Sequence, residues 1–405
     1  MGKVYDEMLK YEHAKSMFYK IKRNCKNKQA IYEYNLYLNS NLYRILELLY
    51  LHKYKFSRYR IFMIRDPKFR IIMSENINDK LVNHLVSKYI LLTNLESKLI
   101  DTNVATRIDK GSGYAFNKFV EYINKLKYQN KEIYILKVDI KKYFYNIDHK
   151  ILMSKVKKYI KDKCALKIIE EIINSTNEKY INERINYLKD SRIKYINSLN
   201  ISKKEKETKI NTIKSIPLYN YNKGLPIGNM TSQILGIFYL NDVDHYIKEK
   251  LKFKYYIRYM DDILIIDTDK EKLINSFNLI EKEINKLNLE INSKSNLYKL
   301  SNGISFLGYV FKLDKNNKLI IRYNNNTIRR LSRKLKNLKR FDKDKYVRSL
   351  GSYKGYLDKG NTKLKNNYQL WEQNEKKLRK KCAWNVILVC YNMVKSKKET
   401  EKRLF

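Results

Sequence analysis

Residues 255–267 read Tyr-Tyr-Ile-Arg-Tyr-Met-Asp-Asp-Ile-Leu-Ile-Ile-Asp. An apolar, aromatic run rises to Tyr259-Met260-Asp261-Asp262, and a second apolar run, Ile263–Ile266, leaves it. Two β-branched and aromatic segments around a short polar break predict a hairpin. Adjacent carboxylates at the tip of a buried hairpin are costly unless something pairs with them, and a divalent cation is the natural partner. A plain Asp-Asp turn between surface strands has the same local pattern, so the rest of the chain must discriminate.

The composition points to a polyanionic partner. The 405 residues carry 85 Lys+Arg against 42 Asp+Glu, a formal charge of +43. Nucleic acid or an acidic membrane surface would match that excess. Part of it also matches the Lys, Asn, Ile and Tyr bias of an AT-rich genome. The length suggests two or three domains with a sizeable core. Cys25, Cys164, Cys382 and Cys390 are scattered without metal spacing, which fits a reducing cytoplasm better than a disulfide framework. The first twenty residues lack the apolar core of a signal peptide, and no run of eighteen apolar residues predicts a membrane span.

Breakers are few: three prolines (Pro67, Pro217, Pro226) and 11 glycines. Each is expected to mark a turn or a close backbone approach. Residues 1–55 read as helices, with Leu36, Tyr43, Leu46 and Tyr50 at helical spacing. Strand, turn and strand are expected over 58–75 around Asp66-Pro67, then a helix over 77–100. A loop at Asp109–Tyr114 precedes another helix, and Ile133–Ile140 reads as a strand. Residues 150–215 read as mostly helical. A tight loop at Gly224–Gly228 leads into a helix running to about Leu251. After the Asp-Asp hairpin come a helix near 270–287, a short hairpin of Ser305–Phe311 with Leu319–Arg322, and a basic helical stretch from Thr327.

Two further segments carry chemistry. Ile135–Asp148 (ILKVDIKKYFYNID) ends an apolar strand on Asp139. Two-cation phosphoryl chemistry needs carboxylates from separate strands, and Asp139 with Asp261 and Asp262 supplies them. Lys223–Gln233 (KGLPIGNMTSQ) places two glycines around a proline ahead of a helix. Such a loop lets backbone approach a base pair or phosphate, although a structural turn has the same composition.

The order of these segments resembles that of reverse transcriptases, over roughly residues 35–360. The resemblance implies an α+β right-hand polymerase. Its fingers and palm, the palm with a ferredoxin-like antiparallel sheet, would occupy 56–322. An N-terminal helical extension would occupy 1–55, and a basic helical thumb with a C-terminal tail 323–405. It implies catalytic Asp139, Asp261 and Asp262, and a metal set of these three with Ile140. Two Mg2+ ions are the implied cofactors, with Mn2+ able to substitute. Arg65–Ile72 resembles the fingers block, in which Lys68 and Arg70 would bind the incoming triphosphate; solvated surface charge is the other reading. Phe144, five residues after Asp139, would exclude a ribose 2′-hydroxyl, or else serve as a core aromatic. Ile227, Gly228 and Gln233 would lie against the nucleotide, and Lys294 would protonate the leaving pyrophosphate. Arg107, Lys110, Tyr259, Met260, Arg329, Arg330 and Arg333 would contact nucleic acid. His84 is assigned no chemistry.

The pattern Leu-Pro-Ile-Gly-Asn-x-Thr-Ser-Gln is similar to that of diversity-generating retroelement enzymes. Retroviral and group II intron enzymes carry Gln where this chain has Ile227. That departure implies misincorporation opposite template adenine. Ser352–Leu357 resembles a thumb motif of the same enzymes. Residues 361–405 show no maturase, endonuclease or zinc-finger pattern. The implied function is RNA-directed DNA synthesis in a bacterial retroelement. A defence-associated enzyme acting against phage with a non-coding RNA, and an inactive RNA-binding scaffold, are the alternatives. Implied partners are an RNA template, a primer–product duplex and dNTPs; a structured non-coding RNA, a basic accessory protein and a second copy of the chain are further candidates. No membrane partner is implied. One departure is the long span from Asp148 to Pro217. Within it the polar stretch 178–214 carries Ile181, Ile185 and Leu188, then Ile193, Ile196 and Leu199, the pattern of a helical hairpin. It reads either as a binding element or as a tolerated surface insertion.

Overall fold

The computed structural model describes residues 3–25, 27–65, 68–342 and 345–349. By internal contacts the chain forms two compact units. One comprises Met1–Tyr122 with Ile135–Leu297; the other comprises Ile123–Tyr134 and the chain from Tyr298 on.

The first unit opens with four helices: α1 (Lys3–Met8), α2 (Tyr11–Asn24), α3 (Lys28–Leu36) and α4 (Leu38–Tyr50). The buried stripe of α4 is Leu38, Leu42, Ile45, Leu46 and Leu49, in steps of three and four. Of the four residues expected on such a stripe, only Leu46 is buried. Leu36, Tyr43 and Tyr50 are 59%, 60% and 57% exposed. Tyr43 and Tyr50 each sit one residue past a buried leucine, which turns them about 100° toward solvent.

β1 (Arg60–Arg65) and β2 (Phe69–Ser74) form an antiparallel two-stranded sheet closed by the Arg65–Phe69 pair. The Asp66-Pro67 turn lies outside the described residues. α5 (Ile77–Leu85) is capped by the Asn76 side chain, which accepts from Asp79 N–H. It continues through a π-helical stretch, Val86–Leu92, into α6 (Thr93–Leu95). α7 (Ser112–Lys127) and β3 (Tyr134–Val138) follow. Then come α8 (Tyr143–Asn146), α9 (His149–Tyr159), α10 (Lys163–Asn174), α11 (Lys179–Ser198) and α12 (Lys203–Lys214).

The insertion is a helical hairpin whose corner lies elsewhere than expected. Ile181, Ile185, Ile193 and Ile196 all lie on α11, and the chain turns at 199–202, where Ser202 caps α12. α11 and α12 do not merely decorate the surface. Ile181, Ile185, Ile196, Ile213 and Ile216 bury themselves with Ile61, Ile71 and Met73 of the β1–β2 sheet. A two-stranded sheet is marginal alone in water, and this shared core supports it.

α13 (Met230–Tyr239) and α14 (Asn241–His245) lead through a second π-helical stretch, Tyr246–Lys250, to β4 (Tyr255–Tyr259) and β5 (Asp262–Asp267). α15 (Lys270–Asn285) and β6 (Asn296–Lys299) follow. The sheet order is β4-β5-β3-β6. Strand, helices, strand, strand, helix, strand, with β3 between β5 and β6, is the split βαββαβ connectivity. Ile263 to Ile266 on β5 are fully buried, as expected of a strand covered on both faces. The fold is mixed α+β, and no helix among the described residues is long and apolar enough to cross a membrane.

In the second unit, β7 (Ile304–Phe306), β8 (Tyr309–Leu313) and β9 (Leu319–Tyr323) form a three-stranded sheet. The expected two-stranded hairpin gains a strand because Ser305–Phe311 breaks at Leu307-Gly308, both with positive φ. α16 (Asn325–Phe341) buries Leu331 and Leu335, the latter with Tyr346, and exposes Arg329, Arg330 and Arg333. The Ser352–Leu357 motif, Cys382 and Cys390 lie outside the described residues.

Candidate active site

β4 and β5 pair from Tyr255–Ile266 to Tyr259–Asp262, leaving Met260 and Asp261 as a two-residue turn. Met260 takes φ 57°, a left-handed conformation that a bulky residue adopts only when its surroundings impose it. The surroundings are visible. Arg258, fully buried, donates from Nη1 to the Met260 carbonyl at 2.8 Å and from Nη2 to the Ile237 carbonyl at 2.6 Å. Its Nε and Nη2 donate to the two carboxylate oxygens of Asp244, both at 2.6 Å, and the Tyr256 hydroxyl donates to the same group. A guanidinium fork therefore ties the turn to α13 and α14.

Asp139 follows the last residue of β3. Its N–H donates to Ser295 Oγ at 2.9 Å, and its carbonyl accepts from Asn292 N–H at 2.8 Å. Ile140 is buried and bridges to Ile291. Burial raises the carboxyl of Asp139 above its usual range, and the charge of Asp262 adds to the rise. Burial likewise pushes Asp261 up to about 6, helped by Asp262 and Asp139. These mutual effects place three carboxylates within one another's fields. Lys137 Nζ lies 3.7 Å from Asp262 Oδ1, and the charges of Lys68 and Lys294 act on Asp139.

Among the described residues no group of three or more His, Cys, Asp or Glu side chains stands assembled as a metal cage. The donor chemistry nevertheless fits a hard divalent cation. Carboxylate oxygens from β3 and the β4–β5 turn repel one another, and a cation would relieve that repulsion.

A cavity of about 300 Å3 opens beside Asp261. Lys68, Phe69, Arg70, Phe144, Ile227 and Asp261 are among its lining residues. With Thr212, Ser215, Ile216 and Pro217 also in the lining, five distant segments of sequence meet there. Lys142, φ 49°, starts the α8 turn that carries Phe144. The Tyr143 hydroxyl donates to the Gly236 carbonyl at 2.5 Å, and the Phe144 carbonyl accepts from Leu225 N–H at 2.8 Å. The Phe144 ring packs on α13 where a Cβ on Gly236 would come within 3.2 Å of it. The Ile227 carbonyl accepts from Met73 N–H at 2.9 Å, joining the loop to β2. At Gly228, φ +140°, a Cβ would stand only 2.5 Å from the Met73 carbonyl oxygen, so glycine is required there. His149 holds the other end of the loop, its Nε2 2.7 Å from the Gly224 carbonyl.

Other expected residues lie apart from this cavity or are engaged elsewhere. Gln233 is half-buried on α13 and does not line it. Lys294 sits in the turn before β6. Arg107 is committed internally: Nε to Glu96 at 2.6 Å, Nη1 to the Ile100 and Asn103 carbonyls, with 8% of the side chain exposed. Lys110 is held by Asp101 at 2.8 Å. Tyr259 pairs across the strand ends with Asp262. Arg329, Arg330 and Arg333 belong to the second unit.

Sequence reasoning passed over Arg258, Asp244, Ser295, Thr212 and Ser215. Arg258 alone had a signal, as a lone cation inside an apolar strand. Thr212, on α12 of the insertion, and Ser215, just past its end, line the 300 Å3 cavity.

The family described as reverse transcriptase (RNA-dependent DNA polymerase) matches residues 64–311, more than half of the chain. No curated protein matches it. Among solved structures it is similar to telomerase from Candida albicans with a TWJ fragment of telomeric RNA, at 14% identity and TM-score 0.41, covering 73% of this chain and 50% of that one. Apo telomerase from Candida tropicalis gives 14%, 0.39, 67% and 49%, and its form truncated from the C-terminal domain gives 14%, 0.38, 66% and 55%. The chain thus spans about half the length of the telomerase chains it matches. With 248 consecutive residues matched, from 64 to 311, the chain belongs to the reverse transcriptase (RNA-dependent DNA polymerase) family.

Proposed function

We propose that the chain is an RNA-directed DNA polymerase that extends a primer on an RNA template with dNTPs. The observation that carries this is the convergence of Lys68, Arg70, Phe144, Ile227 and Asp261 on one cavity, with Asp139 and Asp262 beside it. In the reaction the primer 3′-oxygen attacks the α-phosphorus, the bond from that phosphorus to its bridging oxygen breaks, and pyrophosphate departs. Lys68 and Arg70 hold the triphosphate, the first as a point charge and the second as a fork. Phe144 bounds the sugar side and disfavours a 2′-hydroxyl. Ile227 and Gly228 bring backbone against the nascent pair. Lys294 delivers a proton to the departing pyrophosphate. Asp139, Asp261 and Asp262 would hold two divalent cations, Mg2+ first, which when bound supply charge neutralisation and a more acidic 3′-hydroxyl. The right-hand division of fingers, palm and thumb, with Arg329, Arg330 and Arg333 against duplex backbone, belongs to the same reading.

We assign the biological role to a bacterial diversity-generating retroelement. Ile227, an apolar residue where retroviral and group II intron enzymes carry Gln, lines the cavity and supports it. A reducing cytoplasm suits the free thiols Cys25 and Cys164.

The test is primer extension by the chain purified with its bound RNA, followed by sequencing of the product. Deoxynucleotide incorporation lost in Asp261→Asn, with errors concentrated opposite template adenine, is the expected result. Incorporation without that bias, on a non-coding RNA, would transfer the role to phage defence. RNA binding with no incorporation on any template would overturn the polymerase reading.

A further inference from the structure

A second cavity, of about 530 Å3, lies between the β1–β2 hairpin and α12. Lys68, Phe69 and Thr212 line both this cavity and the nucleotide cavity, so the two are neighbours across a shared wall. Four cations face it, Arg65 and Lys68 from the hairpin and Lys204 and Lys209 from the insertion. Among its lining residues the only carboxylate is Glu205, already paired with Lys209 at 2.5 Å. Ser202, Thr208 and Thr212 add hydroxyls.

Two ligand chemistries suit such a basic cleft. A single strand of nucleic acid needs open aromatic faces for its bases as well as cations. Phe69 is the one aromatic in the lining, and its ring already carries two guanidinium groups, Arg65 at 5.3 Å and Arg192 at 5.6 Å. A compact polyphosphate needs no stacking platform, only clustered cations and hydroxyl donors.

We propose that this cleft is a polyphosphate antechamber of the active site, built by α12 of the insertion and serving the polyphosphate group that passes Lys68. The inference rests on the nucleotide-cavity reading above. It gives the insertion a chemical role, in which Lys204 and Lys209 extend the cationic path beyond Lys68 and Arg70. Two species share this chemistry, the leaving pyrophosphate and the triphosphate of an incoming dNTP.

The test uses the full chain and a Lys204→Gln/Lys209→Gln variant, with far-UV circular dichroism to establish folding and Lys204→Arg/Lys209→Arg as the charge-preserving control. Calorimetric titration with sodium pyrophosphate is the direct arm. The expected result is at least tenfold weaker binding in the charge-removed variant and near-native binding in the Arg control. Primer extension separates the sources. A higher inhibitory pyrophosphate concentration with unchanged KM for dNTP identifies the leaving group, whereas a raised KM identifies the incoming triphosphate. Unchanged pyrophosphate binding overturns the proposal. So does a loss confined to primer–templates with a single-stranded overhang. The titration needs no incorporation, so an inactive polymerase with Lys204-dependent pyrophosphate binding would sink the function and leave the site.

Discussion

Arg258 and Asp244 form a fully buried ion pair 14 residues apart in sequence, and the same guanidinium holds the Met260 carbonyl of the Asp-Asp turn. A buried pair of this kind contributes little net stability by itself, but removing one partner strands the other charge. Arg258→Met should cost about 3–5 kcal/mol in chemical denaturation. Because the turn loses its prop, incorporation should fall by more than the loss of folded protein explains. Equal losses in both readouts would limit Arg258 to a purely structural role.

The raised carboxyl of Asp261 fixes the sign of a pH effect. Between the ordinary carboxylate value of 3.8 and about 6, the folded chain binds more protons at Asp261 than the unfolded chain does. Stability therefore declines as pH rises through that window and levels off above it, at up to about 1.4 kcal/mol per pH unit. Asp261→Asn should make that decline shallower in thermal melts run in EDTA, the remainder coming from other raised carboxyls such as Asp139. An unchanged slope in the variant would show that Asp261 is not the group responsible.

Divalent cation binding should follow the same group in the opposite sense. Ionised carboxylates bind the cation, so Mn2+ affinity measured by spin resonance should weaken as pH falls below about 6. At saturating Mg2+ the wild-type chain should gain about 3 kcal/mol at a hundredfold excess over Kd, and Asp139→Asn should gain far less.

Gly228→Ala tests the loop. The added Cβ meets the Met73 carbonyl at 2.5 Å in a backbone region that side chains rarely adopt. A loss of about 1–3 kcal/mol is expected. A larger fractional loss of nucleotide incorporation should accompany it, because the Met73–Ile227 hydrogen bond must move.

Ile185→Asp places a charge in the core shared by α11 and the β1–β2 sheet. We expect destabilisation of several kcal/mol and a raised KM for dNTP, since Lys68 and Arg70 lie on that sheet and its turn. A freely tolerated substitution would return the insertion to the status of a surface addition.

Much of the site was legible because its chemistry is written in short runs. The β4–β5 hairpin, the strand ending at Asp139 and the Gly-Leu-Pro-Ile-Gly loop each carry their own punctuation; Asp261 and Ile227 line one cavity, and the charge of Asp139 acts on Asp261. What the sequence withheld was long-range. Nothing local marks Asp244 as the partner of Arg258, or Thr212 as a lining residue of the same cavity as Phe144. The corner of the insertion was misplaced for a related reason. Ile181 to Ile196 keep one face on a single α11 helix, and only the cap at Ser202 marks the turn. Tyr43 and Tyr50 show the converse error: their seven-residue spacing imitates a buried stripe that α4 builds from Leu42, Ile45 and Leu49.

The core joining α11 and α12 to the β1–β2 sheet also has a mechanical meaning. Lys68 and Arg70 ride on a small sheet and its turn whose footing is the helical pair, so a displacement of those helices is passed to the Lys68–Arg70 wall of the cavity. The insertion is thus the abutment of that sheet, and a change in how α11 or α12 packs reaches the cavity wall without passing through a carboxylate.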